Sequence, residues 1–182
     1  MDTDLVVRAQ HGDRGAFASL ATEVADRFLA VARKILRDHD LAEDATQQAL
    51  LSILQDLPQL RDPARFEAWS YRLLVHACYA EGRRQRRWTP NIRMLPADEP
   101  ITDDDLSSVV DRDLLEAGFR RLSIDHRTVV VLHHYQDLPL DRVAEILGIP
   151  VGTAHSRLHH AMRALRAALD ADARHVAREA AR

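Results

Sequence analysis

The chain has a single cysteine, Cys78, so no internal disulfide can close and no cysteine-based zinc site can be assembled. Its expected role is that of a small buried apolar side chain. Aromatic residues make up only 5% of the sequence, which suits aliphatic helix packing better than a sheet sandwich. No apolar run approaches the ~18 residues of a membrane span. The acidic start Met1-Asp2-Thr3-Asp4 lacks the basic region of a signal peptide, so a cytoplasmic protein with no direct membrane insertion is expected. There is no glycine-rich loop to cradle a phosphate, no nucleophile motif and no paired acid and base. Neither an enzymatic activity nor a cofactor is therefore expected.

What is present is 182 residues, 46% hydrophobic and 29% charged, enough for one ordinary domain or two small ones. The net charge of −3 is unevenly spread. Residues 94–113 hold seven acidic residues against Arg112, together with Pro96 and Pro100 and almost no apolar periodicity. That is linker composition, and it divides the chain into domains at 1–93 and 114–182. The basic residues outside it can bind polyanions locally despite the acidic balance.

Strand-like alternation is absent and helical spacing dominates, so the fold class is all-α. About four helices are expected before the linker. Leu50, Ile53, Leu54 and Leu57 form one apolar stripe, and Phe66, Trp69, Leu73, Ala77 and Ala80 another. Gly12-Asp13, the pair Asp40 and Glu43, and Asp62-Pro63 read as helix starts. After the linker, helical segments are expected near 109–122, 125–135, 140–147 and 152–169, with breaks at Ser123, at residues 137–139 and at residues 148–150.

The stretch from Leu140 to Leu158 has helix-turn-helix spacing. Ala144 is small enough for a close crossing, Gly148 permits a left-handed turn, and Ile149 packs beneath it. On the second helix Ala154, Leu158, Ala161, Met162, Leu165 and Leu169 face inward. Ser156, His159, His160 and Arg163 face away, with Thr153, His155 and Arg157 near the leading end, where such groups can reach phosphates or base edges. His155 and His159 lie four apart, but no carboxylate follows at a fixed offset, so no metal site is expected.

In the first domain a helix beginning at Phe66 runs toward the basic cluster Arg83, Arg84, Arg86 and Arg87, unless Gly82 breaks it first. Arg72, His76, Tyr79, Arg83, Arg86 and Arg87 share one arc, cations interleaved with an aromatic. That suits a surface tracking a nucleic-acid backbone, and equally a solvated basic helix end. One helix earlier, Asp44, Gln47, Gln48, Leu51 and Gln55 lie away from the core, leaving Leu51 as an apolar residue among polar ones.

Two stretches, in order, resemble the extracytoplasmic-function sigma factors of the sigma-70 family. The first comprises Asp40 to Gln47 (DLAEDATQ), Phe66 to Arg72 (FEAWSYR) and the arginine run, and is similar to the sigma-two domain; the second, Leu122 to Leu169, is similar to the sigma-four domain. The resemblance implies a promoter-specificity subunit with core RNA polymerase as partner, through its β′ clamp and β flap, and promoter DNA as the second. It implies that Asp44 and Gln47 face the clamp, that the first domain opens the minus-ten element, that the second reads the minus-thirty-five element, and that the linker threads near the RNA path. An anti-sigma partner is implied by the family alone. The sequence departs from the family's pattern at His76, Ala80, Gln48 and His155, where asparagine, aspartate, glutamate and a basic residue are usual, so no promoter consensus follows.

Two other classes stand beside this one. A stand-alone helix-turn-helix regulator would bind paired half-sites as a dimer. A nucleic-acid enzyme would need a metal-binding carboxylate cluster that the sequence lacks.

Overall fold

The computed structural model describes the backbone of residues 2–88 and 118–180 and the side chains of residues 2–85 and 118–167. The acidic linker expected at 94–113 and most of the helix expected at 109–122 lie outside the described residues.

Aspartates start the first helices. Asp2 accepts from the Asp4 amide at the head of α1 (Thr3–Gln10), and Asp13 accepts from the Ala16 amide at the head of α2 (Arg14–Leu36), each at 2.9 Å. The Ala16 amide, and then Arg8 2.7 Å away, hold the Asp13 carboxyl below its ordinary range. α3 (His39–Asp56) is capped by Asp38, which accepts from the Leu41 amide at 3.0 Å. The expected Asp40 and Glu43 capping pair is thus corrected. Asp40 already lies inside the first turn, where its charge meets the helix dipole instead. Two short 3-10 turns, Leu57–Gln59 and Pro63–Arg65, lead into α4 (Phe66–Trp88), the second of them capped by Asp62.

Gly82 does not break α4. A Cβ there would meet Ile124 Cδ1 at 3.0 Å, so the missing side chain admits a neighbouring helix. The stripes expected on α3 and α4 are shifted as well. Ile53 and Leu57 are buried and Leu50 is half-buried, but Leu54 is 54% exposed. On α4 Phe66 and Ala77 are buried as expected, but the buried line also takes in Tyr71, Leu74, Val75 and Cys78, while Trp69 and Leu73 are half-buried and Ala80 is exposed. The offset arises because α4 is covered on two sides, by α2 and α3 and by the second domain.

In that domain Ser123 caps α5 (Ile124–Val130), accepting from the His126 amide at 3.3 Å. α5 continues into one π turn, Val131–Tyr135, and the chain reverses at Asp137, which takes φ +51. α6 (Leu140–Leu147) and α7 (Val151–Ala180) follow. Val130, Leu122, Ala161 and Leu165 form a small cluster between α5 and α7.

The two domains share one apolar core. Val129, Val131, Leu132, Val143 and Ile146 join the cluster of Phe28, Ile35, Tyr71 and Leu74. Each such side chain fully removed from water contributes about 1.5–3 kcal/mol. At the rim, the ammonium of Lys34 sits 4.2 Å from the centre of the Tyr135 ring. Among the described residues no helix is long and apolar enough to cross a membrane.

Candidate polymerase and nucleic-acid surfaces

On α3, the spacing that buries Ala42, Ala45, Ala49 and Ile53 turns Asp44, Gln47, Gln48 and Leu51 outward, and all four are exposed. Leu51 is 51% exposed and Leu54 lies one turn from it. With Phe17 of α2, Leu50 and Gln47 they line a shallow groove of about 300 Å³. Phe17 and Leu54 were missed as members of this patch. Leu54 fits the apolar period of the core stripe, and that period does not reveal that α3 is covered on one side only.

The helix-turn-helix has the expected geometry. α6 ends at Gly148 with φ +64 and ψ +34, a left-handed C-cap that glycine adopts without strain. The Ile149 amide closes on the Ala144 carbonyl at 3.1 Å, and the Thr153 amide on the Pro150 carbonyl at 2.9 Å. Ala144, Ala154 and Ala161 are buried, Leu158 and Met162 are half-buried, and His155, Ser156, His159, His160 and Arg163 are exposed. Thr153 is half-buried, and its carbonyl accepts a hydrogen bond from the Ser156 hydroxyl at 3.0 Å. Arg157 bends back to Asp125 of α5, 3.5 Å away. The His160 ring lies over His126, with centroids 6.4 Å apart. Among the described residues no group of three or more metal-ligating side chains converges.

The basic arc of α4 is divided. His76 and Arg83 are solvent-facing. Arg84 pairs with Asp44 and with Glu81, each at 3.0 Å. The side chains of Arg86 and Arg87 lie outside the described residues. Arg72 and Tyr79, expected on the same open face, instead meet the second domain. The Arg72 guanidinium donates to the Glu145 carbonyl and, at 3.3 Å, to the Ile146 carbonyl, both at the C-terminal end of α6. The Tyr79 hydroxyl is buried beside Thr128 and Asp125 without a hydrogen-bond partner of good geometry, and burial pushes its pKa up to about 12. Arg65 pairs with the Glu145 carboxylate, which also accepts from Arg142 at 2.7 Å. Arg61, Arg65, Trp69, Arg72 and Glu145 border a cleft of about 230 Å³ between the domains. Arg65 and Glu145 were not picked out from the sequence, where nothing links residues so far apart.

Comparison with known proteins agrees with this geometry. Residues 20–88 match the Sigma-70 region 2 family and residues 112–165 match Sigma-70, region 4. The ECF RNA polymerase sigma factor SigL of Mycobacterium tuberculosis is 32% identical over 165 residues, covering 87% of this chain and 93% of that protein. The ECF RNA polymerase sigma factor SigW of Bacillus subtilis is 26% identical over 173 residues, covering 88% and 92%. Among solved structures, the sigma factor RpoE in complex with the anti-sigma factor NepR from Bartonella quintana shares the fold, with a TM-score of 0.71 at 23% identity over 86% of this chain and 98% of that one. CnrH in complex with the cytosolic domain of CnrY gives 0.70 at 22% identity over 94% and 98%. With both sigma regions matched in order and this level of identity over nearly the whole chain, the protein belongs to the extracytoplasmic-function RNA polymerase sigma factors, which bind core polymerase and direct initiation at specific promoters.

Proposed function

We propose that the labour of initiation is divided along the chain. The first domain, residues 1–93, holds the polymerase clamp through Asp44, Gln47, Gln48 and Leu51, with Leu54 and Phe17 completing the apolar floor. It opens the minus-ten element with Arg72, His76, Tyr79, Arg83, Arg84, Arg86 and Arg87. The second, residues 114–182, reads the minus-thirty-five element with Thr153, His155, Ser156, Arg157, His159 and His160, while the acidic segment 94–113 spans the two and the β flap receives the second domain. The observation that carries this reading is the pairing, on one chain, of an exposed apolar groove on α3 with an exposed polar face on the second helix of a helix-turn-helix. The groove is an interface for protein, and the helix face is one for a duplex.

The protein acts in the cytoplasm as a binding subunit and catalyses no reaction of its own. An anti-sigma protein is a further partner under this proposal, because the RpoE structure with the same fold is a complex with one. Run-off transcription from genomic promoter fragments, with and without the protein added to purified core polymerase, tests the assignment. Discrete starts that depend on the protein support it. Failure to join core enzyme, together with tight dimeric binding to paired half-sites, would instead make it a stand-alone regulator.

A further inference from the structure

We propose that His126 of α5 belongs to the minus-thirty-five surface, and that His126, His155, His159 and His160 take up protons as they close on DNA phosphates, so that the hold on the promoter tightens as pH falls. The proposal rests on the minus-thirty-five role given above to α7, and adds a residue to that surface and the charge state in which it binds.

Local structure brings the four rings together. On α7, the spacing that buries Ala154, Ala161 and Leu165 turns His155, His159 and His160 outward, with His155 and His159 one turn apart. On α5, the Ser123 hydroxyl accepts from the His126 amide and fixes that residue in the first helical turn. The His126 ring then stacks on His160, with centroids 6.4 Å apart and planes inclined by 29°, and His160 meets His159 edge-on at 5.9 Å. A row of imidazoles thus crosses from α7 to α5.

The other charges around this row leave it without an anion of its own. Arg157 is drawn to Asp125 of α5, 3.5 Å away. Tyr79 of α4 is buried beside the same aspartate, and Arg127 of α5 is half-buried with a partner of its own. On α6, Asp141 sits in the first turn, where it meets that helix's dipole, and Glu145 is engaged by Arg142 and Arg65. Further along α7, Arg163 and Arg166 are exposed and keep their charge at every pH. With Asp125 and Glu145 already paired to arginines, a DNA phosphate is the anion that answers the imidazoles.

A neutral imidazole has one donor and one acceptor nitrogen, whereas a charged one has two donors. Against a phosphate, only the charged ring makes a charge-assisted hydrogen bond without opposing a lone pair to it. Histidine is also the side chain whose charge changes in the physiological range. Rings 5.9 and 6.4 Å apart repel each other when charged together. A phosphate set against them offsets that repulsion, so DNA contact and protonation favour one another reciprocally.

The test is the affinity of polymerase carrying the full chain for a labelled duplex promoter fragment found by run-off transcription, measured between about pH 8 and pH 6. The same fragment with its minus-thirty-five element scrambled reports the pH response of everything else. Affinity for the intact fragment should rise about tenfold more than for the scrambled one over this range. His126→Gln and His160→Gln should each cut that gain to about threefold and weaken the salt dependence at low pH. His160→Lys, charged throughout, should raise affinity at the alkaline end and flatten the profile. Urea midpoints at both ends of the range separate a lost contact from a lost fold. A gain unchanged by His126→Gln would remove His126 from the surface, and a gain unchanged by glutamine at all four positions would overturn the proton coupling. If scrambling the element alters binding at no pH, the reading of α7 fails and the proposal with it. Dependence on the element without a pH-linked gain defeats the proposal alone.

Discussion

Arg84 of α4 lies 3.0 Å from Asp44 of α3, so a residue assigned to nucleic acid and one assigned to polymerase neutralise each other across the helix pair. Both side chains are about half exposed. Such pairs contribute little to stability, commonly ~0–1 kcal/mol.

Asp44→Ala with Gln47→Ala should therefore leave the unfolding midpoint almost unchanged while weakening association with core polymerase about tenfold or more. Chemical denaturation and competitive binding to core enzyme are the two measurements. Undiminished association would remove α3 from the polymerase interface.

Apolar residues on opposite sides of α3 should behave oppositely. Leu54→Ser, at an exposed position, should change stability by less than ~0.5 kcal/mol and reduce polymerase binding. Ile53→Ala, at a buried position, should cost about 2–4 kcal/mol through the removed methylene groups and the cavity left behind. Equal destabilisation by both would mean that the groove is covered in the free protein.

Alkaline conditions should destabilise the fold through Cys78 and Tyr79. Desolvation raises the thiol from 9.0 and the phenol from 10.0, each to about 12. The unfolded chain then releases these protons first. Stability is unaffected by them below about pH 9 and declines as pH climbs from 9 to 12. Urea midpoints across that window give the slope, and Cys78→Ala should shallow it near its lower end. A flat profile would mean that neither group is buried as described.

On promoter DNA bound with polymerase, Arg83→Ala with Arg86→Ala should reduce affinity and flatten its dependence on salt, the slope falling by roughly one for each phosphate that is no longer neutralised. Arg157→Ala should weaken engagement of the minus-thirty-five element, and in the free chain it should also remove the pairing with Asp125, 3.5 Å away. A salt titration that keeps the original slope would refute the backbone role of the α4 arginines.

The helix-turn-helix was readable from the sequence because everything that defines it is local. Gly148, Ala144 and the inward line through Ala154 and Ala161 all lie within a few turns of one another. The α3 face was readable for the same reason, up to Leu54, whose period is that of the core although no helix among the described residues covers it. The fate of Arg72 and Tyr79 was not readable. Their sequence context is a basic amphipathic helix, and their engagement with the second domain depends on contacts such as Tyr71 with Gln136 and Arg72 with Ile146, 65 and 74 residues apart. Gly82 misled in the same way. A glycine inside a helical pattern reads as a stop, whereas here it marks where another helix comes close.

Under the proposed division of roles, the core shared across α2, α4, α5 and α6 sets thermal robustness against performance. Any substitution that knits the seam more tightly should raise the melting temperature of the isolated subunit and, by the same amount of free energy, resist the separation that placing two domains on two promoter elements demands. Selection for hardiness alone would thus produce a sturdier and slower initiator, and variants ranked by heat tolerance should run in reverse order when ranked by promoter opening.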